Sequence, residues 1–159
     1  MQRGLPLSKT GKPFQEEQIM KGLAQLCSAL EYIHKKKILH RDIKPENILL
    51  TKHDDIKLAD FGISAFISQN GTYATSTLKT WAYASPEAFQ EEPYTSKSEM
   101  WSLGVVIYEL CALKRSFTGK KNLIKGEYEP ISTLYSNTLR NIIASLLITD
   151  PKERISLSQ

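Results

Sequence analysis

From Ser98 to Leu113 the chain is apolar on nearly every side of a helical turn: Trp101, Leu103, Val105, Val106, Ile107, Tyr108 and Leu110 leave little polar face. A helix that is hydrophobic all round is a buried helix. The rest of the 159 residues must therefore wrap it, and that length is enough for one domain with a real core. Two further helices follow from periodicity. Ile19, Leu23, Leu26, Leu30 and Ile33 recur at alternating four- and three-residue spacing in a run that begins at Gln15. Leu139, Ile142, Ile143, Leu146 and Leu147 mark an amphipathic helix over Asn137–Ile148, ended by Asp150-Pro151. Both apolar faces read as core packing.

Short strands are expected at Ile48-Leu49-Leu50 and Ile56-Lys57-Leu58, joined by the turn-forming Lys52-His53-Asp54-Asp55. Residues 63–80 are rich in Ser, Thr, Gly and Asn and read as a flexible loop. Residues 1–14 read as a loop or linker, with the domain proper over 15–159. The expected fold is mainly α, with helices around one small hairpin. There is no internal repeat and no low-complexity tract.

Composition is ordinary for a globular protein: 41% hydrophobic, 24% charged, net charge +4. Lys35-Lys36-Lys37 is the only basic run and is too short for a nucleic-acid site, so no nucleic-acid partner is expected. No stretch approaches the ~20 apolar residues needed to span a bilayer, so no membrane role is expected. Cys27 and Cys111 sit in apolar stretches and read as buried thiols, with no bridge and no metal site. The N-terminus has no apolar run behind it that would make a signal peptide, and a reducing intracellular compartment follows by default.

Against this plain background stands His40-Arg41-Asp42-Ile43-Lys44-Pro45-Glu46-Asn47. Asp60-Phe61-Gly62 follows one hairpin later, and Ser85-Pro86-Glu87 one loop after that. Trp101-Ser102-Leu103-Gly104 then lies in the buried helix, and Pro151 and Arg154 lie near the end. Each triplet alone is weak, but the ordered set is specific. It resembles the C-terminal lobe of eukaryotic protein kinases over about residues 16–156. Lys37 to Lys44, Lys57 to Ile63 and Tyr108 to Lys114 make the chain most similar to the NIMA-related serine/threonine kinases.

The resemblance implies transfer of the ATP γ-phosphoryl group to a Ser or Thr hydroxyl of a protein substrate. Such chemistry needs positioning and charge stabilisation more than covalent help. It implies Asp42 as acceptor of the hydroxyl proton and Lys44 as the cation beside the transferring phosphate. Asn47 and Asp60 become ligands of Mg²⁺, which takes oxygen donors. Glu46 falls with Lys44, Asn47, Leu49 and Asp60 in the ATP-binding set, Leu49 as the floor beneath adenine. Arg41 is implied to pair with a phosphate on the activation segment, Ser76 to be the regulatory phosphosite, and Thr80 to bridge to Asp42 and Lys44. Glu87 and Arg154 resemble a buried structural ion pair. Cytoplasmic placement fits, with centrosome, cilium or cytoskeleton as the subfamily's settings.

Four departures qualify the resemblance. Only 39 residues precede His40, and no glycine-rich phosphate loop or strand lysine occurs. The nucleotide-binding lobe is therefore expected to be absent as a partner within these residues, leaving an exposed apolar patch and no turnover from this chain alone. Lys79 and Trp81 replace the Gly and Pro that usually flank Thr80. Glu99 stands where the family has an Asp that accepts backbone hydrogen bonds from the catalytic loop, so an extra methylene must be absorbed. The stretch Phe117–Ile131 looks too short for its usual helix, and the last helix of the lobe is not reached. A second reading is therefore kept: a pseudokinase-like scaffold or regulatory binding module. Intact Asp42, Asn47 and Asp60 argue against it.

Overall fold

A computed structural model describes residues 3–4, 13–53, 55–61, 65–66, 81–90 and 92–158. The elements run β1 (Arg3–Gly4), α1 (Glu16–Lys35), β2 (Ile38–Leu39), β3 (Ile48–Leu50), β4 (Ile56–Leu58), β5 (Ala65–Phe66), α2 (Ser96–Ala112), α3 (Lys120–Lys125) and α4 (Asn137–Leu146). Short 3₁₀ turns cover Pro45–Asn47, Trp81–Tyr83 and Pro86–Phe89.

The α2 helix is the axle of the molecule. Every residue from Ser98 to Cys111 is buried. Thr95 starts it with a reciprocal cap: its hydroxyl accepts from the Lys97 N–H at 3.2 Å, while the Ser98 hydroxyl accepts from the Thr95 N–H at 3.1 Å. Leu113, left-handed at φ 54°, ends it. The α1 helix lays Ile19, Leu23, Leu26, Leu30 and Ile33 into the core, as its spacing demands. Glu16 and Glu17 in its first turn and His34 and Lys35 in its last complement the helix dipole. Gly104 lets α4 approach α2: a Cβ there would lie 2.7 Å from Leu146 Cβ.

The β3–β4 hairpin pairs as expected, Ile48 with Leu58 and Leu50 with Ile56. Three features correct the sequence reading. Arg3–Gly4, within the stretch read as loop, adds a third strand, pairing with Leu50 and Leu49. Ala65–Phe66, within the stretch read as a flexible loop, pairs with Leu39 and Ile38 in a second ladder. A short helix, α3, does form inside Phe117–Ile131; Gly126 at φ 67° terminates it where a side chain would be strained. The remainder of 67–80 lies outside the described residues. Both cysteines are free thiols; Cys111 is buried as expected, and Cys27 only half-buried. Burial pushes the Cys111 thiol up to about 12. No helix among the described residues is long and apolar enough to cross a membrane.

Candidate functional site

Strand β2 delivers His40 into the core, where its ring is fully buried. The Asp42 N–H donates to His40 Nδ1 at 3.3 Å, which leaves the proton on Nε2, 2.9 Å from the Ala59 carbonyl. The ring meets Phe61 edge-on with centroids 4.7 Å apart. One imidazole thus ties the His-Arg-Asp stretch to the Asp-Phe-Gly stretch.

Past His40 the backbone turns through Arg41 at φ 71°, a conformation a non-glycine residue holds only when its surroundings enforce it. The enforcing group is Glu99. Its Oε1 accepts the Arg41 N–H at 2.7 Å, and its Oε2 takes His34 Nε2 at 2.5 Å. Glu99 thus bridges the last turn of α1 and the backbone of the loop.

Asp42, Lys44 and Asn47 converge on one carboxylate. Lys44 Nζ lies 2.7 Å from Asp42 Oδ2. Asn47 Nδ2 donates to the same oxygen and to the Asp42 carbonyl, both at 2.8 Å. Pro45 pre-sets the 3₁₀ turn that carries Asn47 inward. The Asn47 carbonyl then accepts the Ala59 N–H at 2.8 Å, so the next residue, Asp60, is held at φ 61° beside this cluster. The side chains of Asp42 and Lys44 remain 23% and 20% exposed, open enough for a substrate to reach. Asp60 and Glu46 are exposed, and Leu49 is half-buried in β3. Asn47 spends its amide N–H groups on Asp42, which leaves Oδ1 as an oxygen donor. Asn47 Oδ1 and the exposed Asp60 carboxylate are the hard-oxygen groups here that could hold Mg²⁺. Among the described residues no cluster of three His, Cys, Asp or Glu side chains makes a metal cage.

Glu87 and Arg154 form the expected buried ion pair, with both guanidinium nitrogens on the carboxylate at 2.8 and 3.0 Å. Burial pushes the Glu87 carboxyl up, but the Arg154 bonds and charge outweigh it and hold it below the usual carboxylate range. Tyr83 donates its hydroxyl to Glu109 Oε2 at 2.8 Å. Burial raises Glu109 above its ordinary value, opposed by the Tyr83 bond and by Arg115 at 3.7 Å. Trp81, two residues before Tyr83, is 41% exposed. Ser76, Lys79 and Thr80 lie outside the described residues. An open cavity of about 260 Å³ lies between α1, the hairpin and α2, lined by Phe14, Ile19, Leu26, Leu50 and Ile107 among others. Its lining is mainly apolar and does not include the Asp42 cluster.

Sequence reasoning reached the local cluster and missed His34, Tyr83 and Glu109. Partners 65 and 26 residues apart leave no spacing to read. The available signal was the polarity of Glu99 and Glu109 inside an otherwise apolar helix.

Residues 4–159 match the model of the protein kinase domain. The chain is 41% identical over 157 residues to the serine/threonine-protein kinase Nek1 of Mus musculus, covering 95% of this chain and 13% of that protein. It is 43% identical over 157 residues to the probable serine/threonine-protein kinase nek3 of Dictyostelium discoideum, covering 92% and 14%. It is 40% identical over 152 residues to the serine/threonine-protein kinase Nek3 of Mus musculus, covering 92% and 30%. The chain thus spans less than a third of the length of each of these relatives.

Proposed function

Because this chain belongs to the protein kinase domain family, we propose that it carries the catalytic, mainly helical lobe of an ATP-dependent protein serine/threonine kinase of the NIMA-related type. The observation that carries the reading is the cluster on Asp42: Lys44 at 2.7 Å and Asn47 at 2.8 Å share one carboxylate oxygen. Those two donors hold Oδ2, leaving Oδ1 to accept the proton of a substrate hydroxyl. Lys44 stands beside it as the fixed cation for the γ-phosphate, and its ammonium costs no reorganisation when charge develops. Asn47 Oδ1 and Asp60 would hold Mg²⁺, which when bound neutralises charge on the phosphates of ATP. Leu49, half-buried on the strand face opposite Ile48, would meet the flat adenine ring.

These 159 residues contain no glycine-rich phosphate loop, so turnover would require a nucleotide-binding lobe from outside them. The scaffold reading loses one of its supports, since Glu99 still bonds the catalytic loop. The test is MgATP-dependent phosphorylation of casein by the full-length protein, beside its Asp42→Asn variant. The expected loss is about 10²–10⁴-fold, the contribution of a positioned base. A wild-type protein that transfers no phosphate, or an Asp42→Asn variant of equal activity, would overturn the proposal.

A further inference from the structure

We infer that the open cavity between α1, the β3–β4 hairpin and α2 is a binding site for a small bicyclic aromatic amine, with the rings inside and the ammonium at the mouth. The inference stands apart from the kinase reading. The cavity holds about 260 Å³. A cavity of about 150 Å³ lined by Leu, Ile and Phe takes one benzene ring, so this one has room for roughly ten ring atoms, or two fused rings. Its inner wall is aliphatic: Ile19 and Leu26 come from α1, Leu50 and Ile56 from the hairpin, and Ile107 from α2. Gly22, buried on α1, adds backbone to this wall but no side chain, and a Cβ there would fall 2.7 Å from Ile56 Cδ1. The walls are fixed without a ligand. The Ile56 N–H donates to Gln25 Oε1 at 2.8 Å, which ties the hairpin to α1, and Ile107 belongs to the fully buried stretch of α2. Water against such a wall finds few partners, so flat apolar rings displace it favourably.

The mouth decides the charge of the ligand. Glu17, Gln18 and Lys21 stand there, all exposed. Lys21 Nζ lies 3.3 Å from Asp55 Oδ1, and Gln25 Nε2 donates to the same oxygen at 3.0 Å. These contacts, the Gln25 bond first, hold the Asp55 carboxyl below its ordinary range, so it is ionised at neutral pH. Two carboxylates against one ammonium leave the described mouth one charge negative. Gln18 Oε1 accepts from the Gln15 N–H at a long 3.3 Å. The mouth therefore offers acceptors, and its cation already has a carboxylate beside it. An ammonium complements it, whereas a carboxylate would meet Glu17 with like charge.

The experiment uses the protein with ¹³C-labelled Ile and Leu methyls, titrated with tryptamine, indole and indole-3-acetate. These carry the same rings with an ammonium, no charge or a carboxylate. Tryptamine should shift the methyls of Leu50, Ile56 and Ile107 saturably, with a Kd of about a millimolar or tighter, as expected of so small a ligand. Leu49 lies on the opposite face of β3 and should stay still. Tryptamine should bind about fivefold tighter than indole-3-acetate at low salt, with indole between, and the spread should narrow in high salt. Glu17→Lys, an exposed change, should cancel or reverse that order. Leu50→Trp should fill the cavity and abolish the shifts of Ile56 and Ile107, provided its cooperative melt is kept; Glu17→Lys decides the matter if it is not. No saturable shift of these methyls would overturn the inference. So would shifts centred on Leu49, which would put the rings on the proposed adenine face instead. Equal affinity for the amine and the acid, or an order unchanged in Glu17→Lys, would overturn it as well.

Discussion

Glu87→Ala should be among the costliest single changes in this chain. Arg154 is completely buried and uses all five of its N–H groups: two on Glu87, and one each on the carbonyls of Ile148, Lys97 and Thr149. Glu87 Oε1 also accepts the Ser98 hydroxyl at 2.8 Å. Truncating Glu87 leaves a guanidinium charge and a hydroxyl without their acceptor, away from water. Breaking a buried pair from one side costs about 3–5 kcal/mol. Counting two charge-assisted bonds at roughly 1.5–3 kcal/mol each gives a similar range. The assay is urea denaturation of the 159-residue chain. With a slope of about 2 kcal/mol/M, the midpoint should fall by roughly 1.5–2.5 M. Glu87→Leu combined with Arg154→Met, which removes both charges and keeps apolar volume, should recover most of that loss. A midpoint shift under about 0.5 M for Glu87→Ala would refute the reasoning. So would a double variant as unstable as the sum of the singles.

Gly104→Ala should cost about 1–3 kcal/mol by overpacking, since its Cβ would fall 2.7 Å from Leu146 Cβ and 3.0 Å from Leu147 Cδ2; thermal melting reads it. Gly126→Ala should cost about 1–2 kcal/mol, because φ is 67° and the new Cβ would meet Thr149 Cγ2 at 2.8 Å; a chevron or urea series checks it. Tyr83→Phe should cost about 1–3 kcal/mol, because it removes the hydroxyl bonded to buried Glu109, and the loss should shrink when the chain is melted at a pH low enough to protonate Glu109. The Glu87 carboxyl has a folded-state value below its unfolded one, so its contribution is fully present above the ordinary glutamate value near 4.3. That contribution is lost as pH falls through the lowered folded value, and Glu87→Gln should flatten the acid limb of a stability–pH profile there.

The parts of the fold that were legible share a physical reason. In α1 and α2 the side-chain pattern extends over several turns, so periodicity or its absence is visible. Strands β3 and β4 are neighbours in sequence and pair through a short turn. The two-residue strands β1, β2 and β5 are too short to alternate and owe their existence to distant partners, Ile38 with Phe66 and Gly4 with Leu49. The α3 helix has only six residues, yet Gly126 ends it in the left-handed conformation that favours glycine. Its length hid it. The site divides in the same way. Asp42, Lys44 and Asn47 lie within six positions and were readable as a unit, whereas His34 and Glu99 are 65 apart and were not.

A single element connects the two kinds of residue. The buried α2 helix carries four polar side chains in contact with the loops that shape the site. Ser98 donates to Glu87, and Glu99 accepts from Arg41 and His34. Ser102 donates to the Tyr83 carbonyl at 2.8 Å, and Glu109 accepts from the Tyr83 hydroxyl at 2.8 Å. Burying four such groups would be unfavourable without partners. Irregular backbone, with Arg41 in the left-handed region, would be unfavourable without anchors. Each need answers the other: the helix supplies rigid acceptors and donors, and the loops and α1 supply their partners, with Glu109 Oε1 left to the Arg115 charge 3.7 Å away. The polar exceptions in an otherwise apolar helix therefore mark, from the inside, which loops are held still around Asp42.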